Sequence, residues 1–228
     1  MEQLPTNVKR QVIVAGILLS FFSLFTVALL VAPLLRLIGI YDITLQFVLY
    51  RLCIILCLYI MMVYSVKVEK QKFLLWKENT YSLIYYFVNI VGTMLVLYAG
   101  SAIIGVILQL CGLFHDSKRY LETVQILHEH KVLIVIVPLI AGVVEELIFR
   151  GYIQARLQLF FKKALMPIFI SSVMFGIMHM GYGTVAQIIV PWFIGVVTAV
   201  HYYKYRNIKI LIICHFLYDF IALYAKSR

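Results

Sequence analysis

Long apolar runs separated by short polar stretches cover almost the whole chain. Windows wide enough to cross a bilayer fall near residues 11–38, 43–66, 82–112, 132–149, 164–180, 185–203 and 209–225. A helix needs about 20 largely apolar residues to cross a hydrocarbon core of about 30 Å. The pattern therefore predicts an all-α fold, a polytopic transmembrane bundle of about seven spans. The fourth window can stay helical to residue 160. The third is long, so Gly100-Ser101 is a candidate bend, or part of it lies in the interface. Residues 115–131, HDSKRYLETVQILHEHK, are polar and have the makeup of a short amphipathic helix at the membrane surface. No repeat or low-complexity stretch divides the chain. It reads as one integral membrane domain over 1–228, with spans that carry no diagnostic pattern in 1–131 and a motif-bearing core in 132–225.

Composition excludes the soluble alternative. Hydrophobic residues make up 64% and charged residues 13%, and the mean hydropathy is +0.98. An ordinary soluble domain is nearer half apolar and about a quarter charged. The net charge of +10 would suggest nucleic acid in a soluble protein, but here the basic residues sit in the gaps between apolar runs. That is the signature of loops facing an anionic leaflet, and no nucleic acid is expected. Cys53, Cys57, Cys111 and Cys214 all lie inside apolar runs without a CxxC spacing, so they read as small core residues.

Lys9 and Arg10 precede a first run too long for a signal peptide, which makes that run a retained span. With the N-terminus in the cytoplasm, twelve loop cations face inside: Lys9, Arg10, Lys67, Lys70, Lys72, Lys77, Arg156, Lys162, Lys163, Lys204, Arg206 and Lys209. Five face outside: Lys118, Arg119, Lys131, Lys226 and Arg228. The bias orients the N-terminus inward.

A few ionisable groups remain inside the spans: Glu145, Glu146, Arg150, His179, His215 and Asp219. Each charge at a helix centre costs about 2.5–3.5 kcal/mol on insertion scales, so such groups face protein or water and mark function unless they pair. Glu146 and Arg150 stand i and i+4 on a helix and can form an ion pair. Glu145 lies about 100° round the helix from Glu146 and has no local cation. Its same-face neighbours are Ala141 and Phe149. A buried carboxylate with no local partner suits a general base. FGIMH puts Phe175 and His179 on one face of a later span, and HFLYD does the same for His215 and Asp219. Arg36 and Arg51 are within snorkelling reach of a membrane face. His201 reads as interfacial, and His128-Glu129-His130 as a solvated loop end, because HEH lacks the HExxH spacing that aligns two imidazoles.

EELIFRG at Glu145–Gly151, FGIMH at Phe175–His179 and HFLYD at His215–Asp219 together resemble the CAAX protease and bacteriocin-processing (CPBP or Abi) family of intramembrane glutamic endopeptidases. The resemblance covers about residues 132–225. It implies a hydrolase acting on membrane-associated peptides or proteins. In that reading Glu145 and His179 activate water, His215 and Asp219 stabilise the oxyanion, and Glu146, Arg150 and Phe175 support the site. Where the family admits Asn, this chain has Asp219, which as a carboxylate accepts but does not donate. We expect it to accept from His215 and fix its tautomer. No cofactor or metal is implied, although Glu145, His179 and His215 form a two-histidine, one-carboxylate set that could hold zinc in a metalloendopeptidase-like site.

The short-loop layout suits a bacterial plasma membrane, where peptide maturation or bacteriocin immunity fits better than a prenylated substrate. The competing function is a non-proteolytic membrane scaffold of the same family. Oligomeric state is not legible. Straight spans would leave His179 and His215 at different depths.

Overall fold

The computed structural model describes residues 10–115 and 117–226; Lys9, Asp116 and Arg228 lie outside the described residues. The chain is all-helical there, with no strand among the described residues: α1 (Arg10–Leu37), α2 (Ile43–Lys67), α3 (Leu83–Leu110), α4 (Lys118–Glu129), α5 (Leu133–Glu146), a π-helical segment (Leu147–Gln154), α6 (Ala155–Leu157), α7 (Leu165–Met178), a 3₁₀ turn (His179–Tyr182), α8 (Ala186–Tyr205) and α9 (Ile208–Lys226). Among the described residues, six helices are long and apolar enough to cross a membrane. The seventh expected span is the rod running without a break from α5 through the π segment into α6. α3 is one continuous helix, so Gly100-Ser101 does not interrupt it. Asp42, Ser82 and Ser117 cap α2, α3 and α4 by accepting backbone N–H groups from their first turns.

The motif-bearing helices pair closely: α5 packs along α9 and α7 along α8. Lipid gives helices no hydrophobic drive to associate, so small residues at the contact let the backbones come close and make dispersion carry the packing. Gly142 of α5 shows why. A Cβ there would stand 3.1 Å from the Ile212 carbonyl oxygen and 3.2 Å from the Phe216 nitrogen, both of α9. Gly176 is tighter still, with an ideal Cβ 2.8 Å from Trp192 Cβ and 3.0 Å from the Ile188 oxygen.

The segment joining α2 to α3 is folded under the bundle. Glu69 is 1% exposed, and both its oxygens are used. Oε2 accepts from Arg156 Nη2 at 2.6 Å and Nε at 2.8 Å, while Oε1 accepts from the Tyr152 hydroxyl at 2.5 Å. Arg156 also donates to Ser65 Oγ and to the Phe73 carbonyl. Its loop position in the charge count is therefore corrected: it is a buried cation neutralised by Glu69. Trp76 packs with Ala155, Tyr202, Ile208 and Leu211. Glu78 accepts from the Tyr202 hydroxyl at 2.7 Å and from Ile208 N at 2.6 Å, which caps α9. His201, expected at the interface, is buried, and neither ring nitrogen has a hydrogen-bond partner.

The expected difference in depth between the two histidines is not found. His179 lies 14 residues beyond the first residue of α7 and His215 lies 7 beyond that of α9, which is about 21 Å and about 10 Å at 1.5 Å per residue. Both rings nevertheless reach the same carboxylate oxygen, with Glu145 Oε2 4.0 Å from His179 Nε2 and 3.9 Å from His215 Nε2. Replacing Arg156 by Ala leaves Glu69 charged and buried, so we expect a loss of about 3–5 kcal/mol. Thermal or denaturant unfolding in detergent measures it. Glu69→Leu with Arg156→Met should restore most of the loss.

Candidate active site

The structure brings Glu145, His179, His215 and Asp219 together from α5, the end of α7, and α9. Glu145 Oε2 is 4.0 Å from His179 Nε2 and 3.9 Å from His215 Nε2. Glu145 is about one-fifth exposed, yet its Oε2 is buried and has no hydrogen-bond partner. Buried carboxylate oxygens are nearly always bonded. Glu145 Oε2 is the oxygen that both imidazole Nε2 atoms approach.

The end of α7 sets the orientation of His179. The backbone N–H of His179 turns to the Gly176 and Ile177 carbonyls as the helix tightens into its 3₁₀ turn. The Phe175 carbonyl would otherwise receive that N–H and is left free. His179 Nδ1 lies 2.8 Å from it. A carbonyl only accepts, so Nδ1 carries a proton and donates. In a neutral ring that leaves the Nε2 lone pair facing Glu145.

His215 is oriented by a different partner from the one expected. Its Nδ1 lies 2.8 Å from Glu146 Oε1, whereas Asp219 Oδ2 is 3.5 Å from Nε2, long for a charged hydrogen bond. Glu146, not Asp219, fixes the ring. That also enlarges the part played by Glu146. It does meet Arg150, with Nε 3.3 Å from Oε2 and both side chains essentially inaccessible, but its other oxygen belongs to His215. Arg150 has no hydrogen-bond partner for any guanidinium nitrogen. It is held instead over the Phe175 ring, 4.3 Å from the centroid, a cation–π contact strengthened by desolvation.

Phe175 is thereby a hub. Its ring also meets Phe149 edge-on at 5.1 Å, His179 at 5.0 Å and His215 at 5.9 Å. The EELIFRG stretch itself leaves α geometry just after Glu146 and runs as a π helix. Such segments are rare and recur at functional sites.

A cavity of about 310 Å³ opens beside these groups. Glu145, His179, His215 and Asp219 line it, with Tyr120 and Arg51 across from them. Arg51 does not snorkel to a membrane face as its position in the sequence suggests. It instead sits in this wall with its guanidinium over the Phe47 ring at 4.8 Å and the Tyr50 ring at 5.1 Å. The sequence signal for it was present, an arginine within an apolar run, but its partners lie on its own helix and carry no charge. Glu69 has no such signal: an acid in a connection with four lysines has the makeup of a solvated loop. No set of three or more His, Cys, Asp or Glu residues is arranged to hold a metal ion among the described residues.

The comparisons with known proteins agree with the motifs. Residues 128–221 match the family model of the type II CAAX prenyl endopeptidases, Rce1-like. The match bears out the resemblance carried by EELIFRG, FGIMH and HFLYD, all three of which lie within it. No curated protein and no solved structure gives a significant match. The Rce1-like family is one of membrane-embedded proteases. Its region in this chain holds the whole cluster around Glu145, while the first three helices stand outside it.

The ring assignments are open to direct measurement. Histidine ¹⁵N NMR of the protein should show a protonated Nδ1 on both His179 and His215. Glu146→Gln should move the His215 Nδ1 signal and leave that of His179 unchanged. A His179 carrying its only proton on Nε2 would contradict the assignment.

Proposed function

We propose that the chain is an intramembrane endopeptidase that hydrolyses peptide bonds of membrane-associated peptides or proteins with a glutamate-activated water. One observation carries the reading: the buried, unbonded Oε2 of Glu145, about 4 Å from two imidazole nitrogens whose rings are fixed from behind. That span is the right size for a water donating one hydrogen to Glu145 and the other to His179 Nε2. As water attacks the carbonyl carbon, its proton passes to Glu145, and the carbonyl becomes an oxyanion. Glu145 then delivers the proton to the leaving amine as the C–N bond breaks.

His215 supplies the charge stabilisation. With Nδ1–H directed to Glu146, an N–H on Nε2 points into the cavity and donates to the oxyanion. Both ring nitrogens then carry a proton in this step, and the carboxylates of Glu145, Glu146 and Asp219 stand within 3.9 Å of them. Asp219 then serves as a counter-charge at the mouth of the site. The mechanism uses no metal. The cellular role we propose is peptide maturation or bacteriocin immunity in a plasma membrane, with the N-terminus cytoplasmic.

Glu145→Ala and His179→Ala should each lower cleavage in purified membranes by about 10²–10⁴-fold. Chelation and metal analysis of active protein should find activity without stoichiometric zinc. Comparing membrane peptides by mass spectrometry from cells with wild type and Glu145→Ala identifies the substrate. Full rescue of a cellular phenotype by Glu145→Ala would overturn proteolysis as the relevant activity and leave the scaffold role.

A further inference from the structure

A second and larger cavity, about 490 Å³, lies against the first. The two share Arg51, Thr123 and Tyr182 in their walls. Four cations line it (Arg36, Arg51, Lys118 and Arg119), against a single carboxylate, Glu122. No ion pair joins any of the four to a carboxylate among the described residues. Arg119 is committed to the fold, donating to the Ala28 carbonyl at 3.1 Å and lying beside the Tyr182 ring. Arg51 is held by ring stacking, and its buried Nε has no hydrogen-bond partner. Arg36 and Lys118 are exposed at the rim. A pocket with this imbalance has a place for an anion.

The position of the pocket says which anion. Its walls are the last turns of α1, the first turns of α2 and the N-terminal half of the short polar helix α4. Helix ends and an amphipathic helix lie at headgroup depth. From the pocket toward the middles of α1 and α2 both helices carry exposed apolar side chains, with Leu34 at 54% and Leu30 at 48% on α1 and Ile43 at 50% and Leu52 at 55% on α2. A cationic niche beside an apolar track is the shape of a headgroup with its chains. We propose that this cavity binds the phosphate headgroup of an anionic phospholipid, with Arg36, Arg51 and Lys118 as its cationic contacts. Because Arg51 belongs to both cavities, the bound lipid also forms part of the wall of the Glu145 site.

The test uses the full chain in nanodiscs of phosphatidylcholine mixed with phosphatidylglycerol, with bound lipids read by native mass spectrometry. Wild type should retain phosphatidylglycerol in preference to phosphatidylcholine. Arg36→Gln with Lys118→Gln should reduce that enrichment at least tenfold, since each cation near a membrane surface contributes roughly fivefold. Glu122→Gln, which removes the one opposing charge, should raise it. Glu145→Ala should bind as wild type, which keeps the outcome separate from the protease reading. Equal enrichment in wild type and the double variant overturns the proposal. So does displacement of the lipid by millimolar glycerol phosphate, which would mark a site for a free anion. Should the double variant not fold, an unchanged enrichment in Glu122→Gln overturns it as well.

Discussion

A carboxylate with no exposed surface must be answered by neighbours, and the site is arranged around how Glu146 is answered. One oxygen faces Arg150 from its own helix and the other takes Nδ1–H of His215 from α9. The first contact is local and follows from i,i+4 spacing. The second is 69 residues away in sequence and ties the motif helix to the last helix of the chain. In a medium of low dielectric, an unanswered half of that carboxylate would cost several kcal/mol, so the α5–α9 pairing and the orientation of His215 are set by one interaction. Arg150 in turn leans on Phe175, and Phe175 touches both histidine rings. The cluster is therefore over-determined: moving any one member disturbs the desolvation balance of the rest.

Packing must let these groups meet. Gly142 brings the α5 and α9 backbones into contact at the level where Glu146 reaches His215, and Gly176 does the same for α7 and α8 just before His179. The start of α9 is held by the α2–α3 segment, whose Trp76 packs against Ile208 and Leu211 and whose Glu78 caps the helix. The Glu69–Arg156 pair then anchors that segment to α6, the continuation of the motif helix. A region outside the protease-family match thus holds the match in register.

Much of this was legible in the amino-acid order because the membrane makes the sequence unusually explicit. The expected spans coincide with helices, and the amphipathic stretch 115–131 contains α4. The ionisable residues inside spans are the ones found facing each other, since hydrocarbon leaves few other reasons to keep them. What was not legible were pairings that join distant segments without a local pattern. Glu146 was read through its i+4 neighbour, and its bond to His215 could not be seen. Arg156 counts as a loop cation by position and Glu69 carries no signal of its own, because both stand at the edge of apolar runs, where a sequence does not show which loops fold back. The π segment has no composition that announces it, and neither does the early end of α7 that frees the Phe175 carbonyl.

The two adjacent glutamates illustrate how one-residue spacing separates function from support. Neighbouring positions on a helix differ by about 100°, so Glu145 and Glu146 cannot both face the same partners. Glu146 faces the α9 interior and Arg150, with one oxygen bonded to His215 and the other 3.3 Å from the guanidinium. Glu145 faces the cavity, where its Oε2 is bonded to nothing of the protein and lies within 4.0 Å of two imidazoles. Exchanging the two environments would leave a carboxylate against Arg150 with no access to the cavity and another with no cation behind it. The order of residues in EELIFRG, first the open carboxylate and then the one four residues before arginine, is what allows a charged group to be stable in hydrocarbon beside one that stays available for chemistry.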